Sequence, residues 1–539
     1  MVASTWRHQH RQRRARPRCR ARLRHGAVVL APLLLSACSF QPAPQVRHGG
    51  TLVLAVDAAP RSLNPLTAGD VASVRAYTPL YPLLYSARPD LSIAPDLAAA
   101  MPQLSGDGTT WTVPLRHDAR WSDGNEISAA DAVYTVTTEM DPTLAGDASF
   151  DWSGVTKVDA VDVHTVRFAL RAPDASFAAR LVTPVVPAHV LSKYKPAQMD
   201  TAFFDSTPSV SGGPFLFKER DTVRDALTYV ANPHWYGGAP NVDTLTVKVV
   251  TDPQLVAPML AQGQLLWAPG LTRAGADDAR QQPGVHVAAF ADLGYVALQC
   301  NDRSTSSTGD VAVRRALAYA IDRDAVVRAA LGGDATVLWG DVPPQSWAYD
   351  PAAAHRYTRD VAKARALLDG AHGATPLDLD LLYPRGDTAR EAAANAIAEQ
   401  AAPAGFHITA RALDPVALHT ALTSGQFTLA LTETGTSLDP DDSAALGAQN
   451  WGGYAGADMS RLLLAERSAS AAPGVALDAQ RKPLISRVQS LLSTDLPFIP
   501  LYAPLQHAAW NVTVAGPVAG AQLDQDRDSA MYGRWYLSA

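Results

Sequence analysis

Apolar and polar positions alternate in several short windows of this chain. Between two turn signals, Gly106-Asp107-Gly108 and Asp123-Gly124-Asn125, the residues Trp111, Val113 and Leu115 alternate with Thr110, Thr112 and Pro114. That is the period of a strand with one buried face. Ser128 stands three residues before Asp131, the spacing of a capping box, and Val133, Val136 and Thr137 continue a helical face. The window predicts strand, turn and capped helix, with Trp111 and Trp121 as large apolar anchors. The same alternation over 156–170 (Val158, Val161, Val163, Val166, Phe168) predicts a hairpin, and 218–221 with 227–230 predicts another. Apolar runs at 49–56 and 242–250 read as strands, and 255–263 as a helix ended by Gly263.

The second half changes rhythm. Ala316, Leu317, Ala320 and Ile321 fall on one helical face. Strand and helix patterns then take turns: strand 377–383, helix 388–402, strand 407–413, helix 415–424, strand 427–431. Repeated units of this kind predict an α/β fold with a mainly parallel sheet and helices on both faces.

With 539 residues the chain is too long for one small core, so two or three domains are expected. Hydrophobic residues at 47% and charged residues at 18% exclude a disordered chain and a membrane bundle. The N-terminus stands apart. Nine arginines between Arg7 and Arg24 precede a short apolar run at 26–35, then Leu35-Ser36-Ala37-Cys38. Basic region, apolar region and small residues before a cysteine form the layout of a secretory signal. The run is shorter than the roughly 20 residues of a membrane span. Its ending resembles a bacterial lipobox, which implies acylation of Cys38. Loss of residues 1–37 removes nine arginines and no acids, so 37 basic residues face 52 acidic ones, a net charge of −15. Such a chain is a poor partner for nucleic acid.

Candidate chemistry is sparse. Besides Cys19 and Cys38 only Cys300 remains, in an apolar run, so no internal disulfide or zinc-type cysteine pair is expected. No phosphate-cradling, zinc-protease, serine-hydrolase or dinucleotide motif occurs, and the histidines are scattered singly. No cofactor, metal or catalytic residue is expected. Asp439, Asp441 and Asp442 form an acidic group that reads as a loop or helix start after Pro440.

Several longer words carry a resemblance. Pro-Asp-Leu-Ala at 95–98, Trp-Thr-Val at 111–113, Trp-Ser-Asp-Gly at 121–124 and Ala-Asp-Ala-Val at 130–133 stand in one window. Gly-Gly-Thr-Leu at 49–52, Leu-Asn-Pro at 63–65, Ser-Gly-Gly-Pro-Phe at 211–215 and Val-Arg-Arg-Ala-Leu-Ala-Tyr-Ala-Ile-Asp at 313–322 follow in order. Together they resemble solute-binding protein family 5, the extracytoplasmic peptide- and nickel-binding proteins that feed ABC importers. The resemblance implies a two-lobed periplasmic-binding-protein-like fold with a hinge. Its expected parts are a signal (1–37), a tether (38–48), lobe I (49–84 and 206–292), an extra subdomain (85–205), lobe II (293–505) and a return to lobe I (506–539). It also implies a monomer tied by lipid to the outer face of the cell membrane, passing peptides to permease and ATPase subunits.

For the ligand, the resemblance implies one backbone rail at Gly69, Asp70 and Val71 and another at Thr434, Gly435, Thr436 and Ser437, in a loop that ends at Asp439-Pro440. Trp152 and Tyr502 are expected either as cleft walls or as core. Relatives that bind peptides place an aspartate three residues before the loop's final acid, where it pairs with the free amine. Here that position is Thr436. Glu433 either substitutes for it or is a solvated loop acid. The departure keeps two alternatives open: a non-peptide ligand such as haem, a metal chelate, a sugar or a glycolipid, or a non-transport role as an envelope scaffold or regulator.

Overall fold

The computed structural model describes residues 46–146, 151–374, 376–433, 438–441, 446, 450–469, 476–515 and 531–538. The signal region, Cys38 and most of the tether lie outside these residues, and so do Thr434, Gly435, Thr436 and Ser437.

Strand β1 (Thr51–Val56) buries Leu52 and Leu54 completely. Helix α1 (Val71–Tyr77) starts at Asp70, whose carboxylate accepts the Ser73 N–H at 3.0 Å. In β2 (Thr110–Pro114) Trp111 and Val113 are buried while their neighbours are half-exposed, as the alternation requires. Helix α2 (Ala129–Glu139) opens with the predicted capping box. The Ser128 hydroxyl accepts the Ala130 N–H, and the Asp131 carboxylate accepts the Ser128 N–H at 2.9 Å. Strands β3 (Val155–Asp162) and β4 (Thr165–Leu170) form the first predicted hairpin and join β2 in a four-stranded antiparallel sheet. Strands β5 (Phe215–Asp221) and β6 (Ala226–Ala231) form the second. β7 (Thr244–Val249) and β8 (Trp267–Leu271) flank β1 in parallel on its two sides.

The second half begins with β9 (Val296–Cys300), which buries the free Cys300, and α3 (Val311–Ala320). The predicted alternation follows: β10 (Leu377–Pro384), α4 (Thr388–Ala401), β11 (Phe406–Leu413), α5 (Pro415–Ser424) and β12 (Leu429–Glu433). Helices α6 (Ala457–Arg467) and α7 (Leu477–Asp495) pack together, and the chain then enters the long strand β13 (Phe498–Asn511).

Among the described residues these strands build one 12-stranded sheet in the order β11-β10-β12-β9-β13-β8-β1-β7-β6-β5, with Val285–Ala291 and Ala335–Val337 also paired to β13. The expectation of a mainly parallel sheet is corrected here. β10, β11 and β12 are parallel, but β9 runs against both β12 and β13, and β13 runs against β8. The sheet is mixed because β9 and β13 cross its middle in opposing directions. Two large cores lie along it. The first gathers Leu52, Trp111, Phe168, Tyr229 and Trp267, together with Tyr532 and Trp535 from the chain's end. The second gathers Leu298, Leu317, Leu381, Ile397, Leu431 and Tyr502. β13 contributes Ile499, Leu501 and Tyr502 to the second and Ala508 to the first, so the expected boundary at 505 falls inside one continuous strand. No described helix is long and apolar enough to cross a membrane.

Candidate functional site

In open sheets with parallel strands, ligands sit in the crevice beyond the strands' carboxyl ends. β10, β11 and β12 all end on the same edge, at Pro384, Leu413 and Glu433. The residues just past that edge are charged. Arg385 donates to Asp414 at 3.1 Å. Asp387 caps α4 by accepting the Arg390 N–H at 2.8 Å, and its carboxylate pairs with the Arg390 guanidinium at 3.0 Å. The other arm of Arg390 pairs with Glu433, whose side chain is 52% exposed. Arg390 therefore faces two carboxylates, and the three side chains together hold one negative charge. Arg390 and Asp387 were not picked out from the sequence. The signal that points to them is their place after a parallel strand, at the start of the following helix.

Tyr502 lies under this edge, paired in register with Val296 and only 1% exposed. Burial pushes its hydroxyl up to about 12, with Arg390 pulling the other way and the Asp387 and Glu433 charges adding to the rise. It packs in the second core and is not an open wall.

The other expected rail rests on a network below it. Asp205 accepts from Asn64 Nδ2 at 2.9 Å and from Thr67 Oγ1 at 2.8 Å, and the Thr67 and Ser62 hydroxyls lie 2.7 Å apart. Tyr81 donates to the Leu63 carbonyl at 3.0 Å. This fixes 62–67 and delivers an exposed Gly69 and a 53%-exposed Val71 at the surface. Asp70 is already engaged. Besides capping α1 it accepts from Arg61 Nε at 2.9 Å. Partial burial works against its charge, but the Ser73 N–H and the Arg61 guanidinium outweigh it and hold the carboxyl below its usual range.

Two more expected site residues are held in the interior. Asp439 makes a bidentate pair with Arg481, both bonds at 2.6 Å. Arg481 is 1% exposed and also donates to Glu466 at 2.5 Å. One guanidinium thus faces two buried acids, and burial pushes the Glu466 carboxyl up to about 7 against the pull of Arg481. Asp441 lies 3.8 Å from Arg467, which also pairs with Asp174 at 3.0 Å. Asp442 is outside the described residues. Trp152 is 4% exposed, stacks on Phe168 with centroids 6.1 Å apart, and donates its indole N–H to Glu139 at 2.7 Å. Among the described residues no group of three or more His, Cys, Asp or Glu side chains could hold a metal ion.

The profile described as "Bacterial extracellular solute-binding proteins, family 5 Middle" matches residues 92–454. This chain belongs to that family. Among its curated relatives, Protein XP55 of Streptomyces lividans is 33% identical over 69% of this chain and 69% of its own length. The oligopeptide-binding protein AppA of Bacillus subtilis is 24% identical over 95% of this chain and 97% of its own. The fold matches the structure of AppA in complex with a nonapeptide with a TM-score of 0.65, at 23% identity over 92% of this chain and 100% of that one. It also matches the substrate-binding protein CtaP of Listeria monocytogenes with a TM-score of 0.74, at 22% identity over 91% of this chain and 100% of that one. Family 5 proteins are extracellular solute-binding components, and the mixed α/β fold described above is the family's fold.

Proposed function

We propose that this chain is the lipid-anchored, peptide-capturing subunit of an ABC importer, and not an enzyme. Cys38 carries the anchor, the protein works as a monomer, and the loaded form delivers its ligand to permease and ATPase subunits. Lobe I takes in 49–84 and 206–292 with the 85–205 subdomain, lobe II takes in 293–505, and 506–539 returns to lobe I. The crossing strands act as the hinge, and closed-state contacts supply the differential affinity that drives closure. Extended peptides are held along Gly69, Asp70 and Val71 on one side and 434–437 on the other, by backbone hydrogen bonds that tolerate varied side chains.

The observation that carries this reading is the charge at the strand edge. Thr436 stands where relatives place the amine-pairing aspartate. Glu433, Asp387 and Arg390 leave one negative charge unmatched, and its exposed member is Glu433. A free ammonium brought there neutralises it, whereas an ammonium buried without a partner costs several kcal/mol. Calorimetry with a library of short peptides, free and N-acetylated, tests the proposal. Glu433→Gln is expected to weaken free-amine peptides about tenfold or more and leave acetylated ones unchanged. If no peptide binds parent protein or Thr436→Asp, the peptide reading falls and a non-peptide ligand replaces it.

A further inference from the structure

A pocket opens away from the strand edge. The two-residue period of β10 sends Leu379 and Leu381 into the second core and Leu382 to the opposite face, where it clusters with Leu418 and Leu422 of α5 and Ala430 of β12. Helix α5 is only ten residues long and stops at Gly425, in a left-handed conformation (φ +69°). Beyond its end lies a pocket of about 460 Å³ between the 301–307 segment and the outer face of β10 and β11. This volume lies within the range of small-molecule sites. The pocket reaches Thr428, which precedes β12, so it borders the end of that strand opposite Glu433.

Its central feature is Arg303. The guanidinium is sandwiched between two glycines, Gly425 and Gly453, both at positive φ. A Cβ at Gly425 would come within 2.7 Å of Arg303 Cζ, and one at Gly453 within 3.0 Å. Arg303 Nη1 donates to the Trp451 carbonyl at 2.8 Å and to Asn301 Oδ1 at 3.2 Å. Nε and Nη2 make no hydrogen bond among the described residues. An arginine normally loses side-chain entropy when a ligand orders it. Here the fold has already ordered it, which is preorganisation for binding. Across the pocket Arg411 donates to Asp380 at 2.7 Å. Arg303, Arg411 and Asp380 together carry one positive charge, and Leu382, Leu413 and Phe427 are among the apolar residues of a lining that also holds polar ones such as Asn301, Ser306 and Thr428.

We propose that this pocket binds a small carboxylate with an apolar body. The carboxylate would sit on the free edge of Arg303 and near Arg411, because a fixed guanidinium fork matches two carboxylate oxygens. The apolar body would lie on Leu382, Leu413 and Phe427. A short fatty acid and the C-terminus of a peptide ending in an apolar residue share this chemistry. The site is independent of the peptide reading above.

Calorimetric titration of the full chain with sodium hexanoate, hexanamide, N-acetyl-leucine and inorganic phosphate tests this. Hexanoate is expected to bind, and hexanamide about tenfold more weakly. Arg411→Gln and Arg303→Lys are each expected to weaken hexanoate several-fold, the second because a lysine keeps the charge and loses the fork. Glu433→Gln should leave hexanoate binding unchanged. Tight N-acetyl-leucine binding that Arg411→Gln also weakens points to peptide ends as the source, and hexanoate alone points to free acids. The proposal is overturned if hexanoate gives no saturable heat, if hexanamide binds equally well, if phosphate binds and hexanoate does not, or if Arg411→Gln changes nothing. Arg411 is exposed and held by a surface ion pair, so that variant folds and decides the matter even if Arg303→Lys does not.

Discussion

Glu139→Gln should make the protein's stability less dependent on pH. Glu139 sits at the end of α2, 8% exposed, with one carboxylate oxygen accepting from the Trp152 indole and the other without a partner among the described residues. Burial pushes its carboxyl from 4.5 up to about 7, while the Trp152 bond pulls it back. A raised carboxyl means that the folded state holds a proton the unfolded chain has released. Below pH 4.5 both states are protonated and the carboxyl costs nothing. As pH rises from there to 7 stability is lost, and above 7 the loss is complete. At about 1.4 kcal/mol for each pH step, the full penalty is about 3 kcal/mol. Glutamine keeps an oxygen for Trp152 and never ionises, but it leaves a buried N–H unsatisfied, at about 1 kcal/mol. The variant should therefore be about 1 kcal/mol less stable than the parent at pH 4.5 and about 2 kcal/mol more stable at pH 8.5. Urea unfolding followed by tryptophan fluorescence across that range measures the crossover. Parallel curves for the two proteins would refute the argument.

Three further outcomes are expected. Arg481→Met strands Asp439 and Glu466 together in the interior and should cost about 3–5 kcal/mol at pH 8, less at pH 5 where Glu466 protonates; thermal melts at the two values measure it. Cys38→Ala should move the protein from the membrane fraction to the soluble one with an unchanged melting temperature, and a variant that stays with membranes sinks the anchor. Small-angle scattering should show a smaller radius of gyration when a tight ligand is added; an unchanged radius at saturation speaks for a preformed cleft.

Elements with a local signature were legible in the sequence. The capping box at Ser128 and the alternation at Trp111 each rest on a few neighbouring residues, and both appear as predicted. Strand direction was not legible, because a period of two is the same whichever way the neighbour runs. β13 was hidden for another reason. It contains Pro500 and Pro504, and proline in a strand removes a ladder donor, so the stretch does not read as a single long strand. The acids show the same limit. Asp70 and Asp439 look alike in sequence, as acids beside a predicted ligand segment. One becomes a helix cap held by Arg61 and the other a buried partner of Arg481, contacts that come from nine and 42 residues away. Arg390 went unread because its meaning depends on β10, β11 and β12 ending on one edge.

The acids that bracket 434–437 make opposite uses of arginine, and the difference says which of them can serve a ligand. Glu433, on one flank, is 52% exposed and pairs with Arg390. Arg390 is 17% exposed and keeps Asp387 when Glu433 turns to another cation, so the exchange at this half-exposed carboxylate costs little. Asp439, on the other flank, is 9% exposed and holds Arg481 through two hydrogen bonds. Withdrawing it breaks two charge-assisted hydrogen bonds to a guanidinium that is 1% exposed and leaves Glu466 alone to hold that cation, at about 2–3 kcal/mol. A peptide ammonium that displaced Arg481 would spend much of its binding energy on that loss, whereas one that displaced Arg390 would not, since Glu433 is half exposed and Asp439 is buried. Asp439→Asn should therefore lower stability and weaken free and acetylated peptides alike, because it disturbs the anchor of the segment. Glu433→Gln should leave the melting temperature within about 1 °C and weaken only the free-amine peptides. If the two variants behave the same way in both assays, the flanks do not divide these roles, and Glu433 is not the amine's partner.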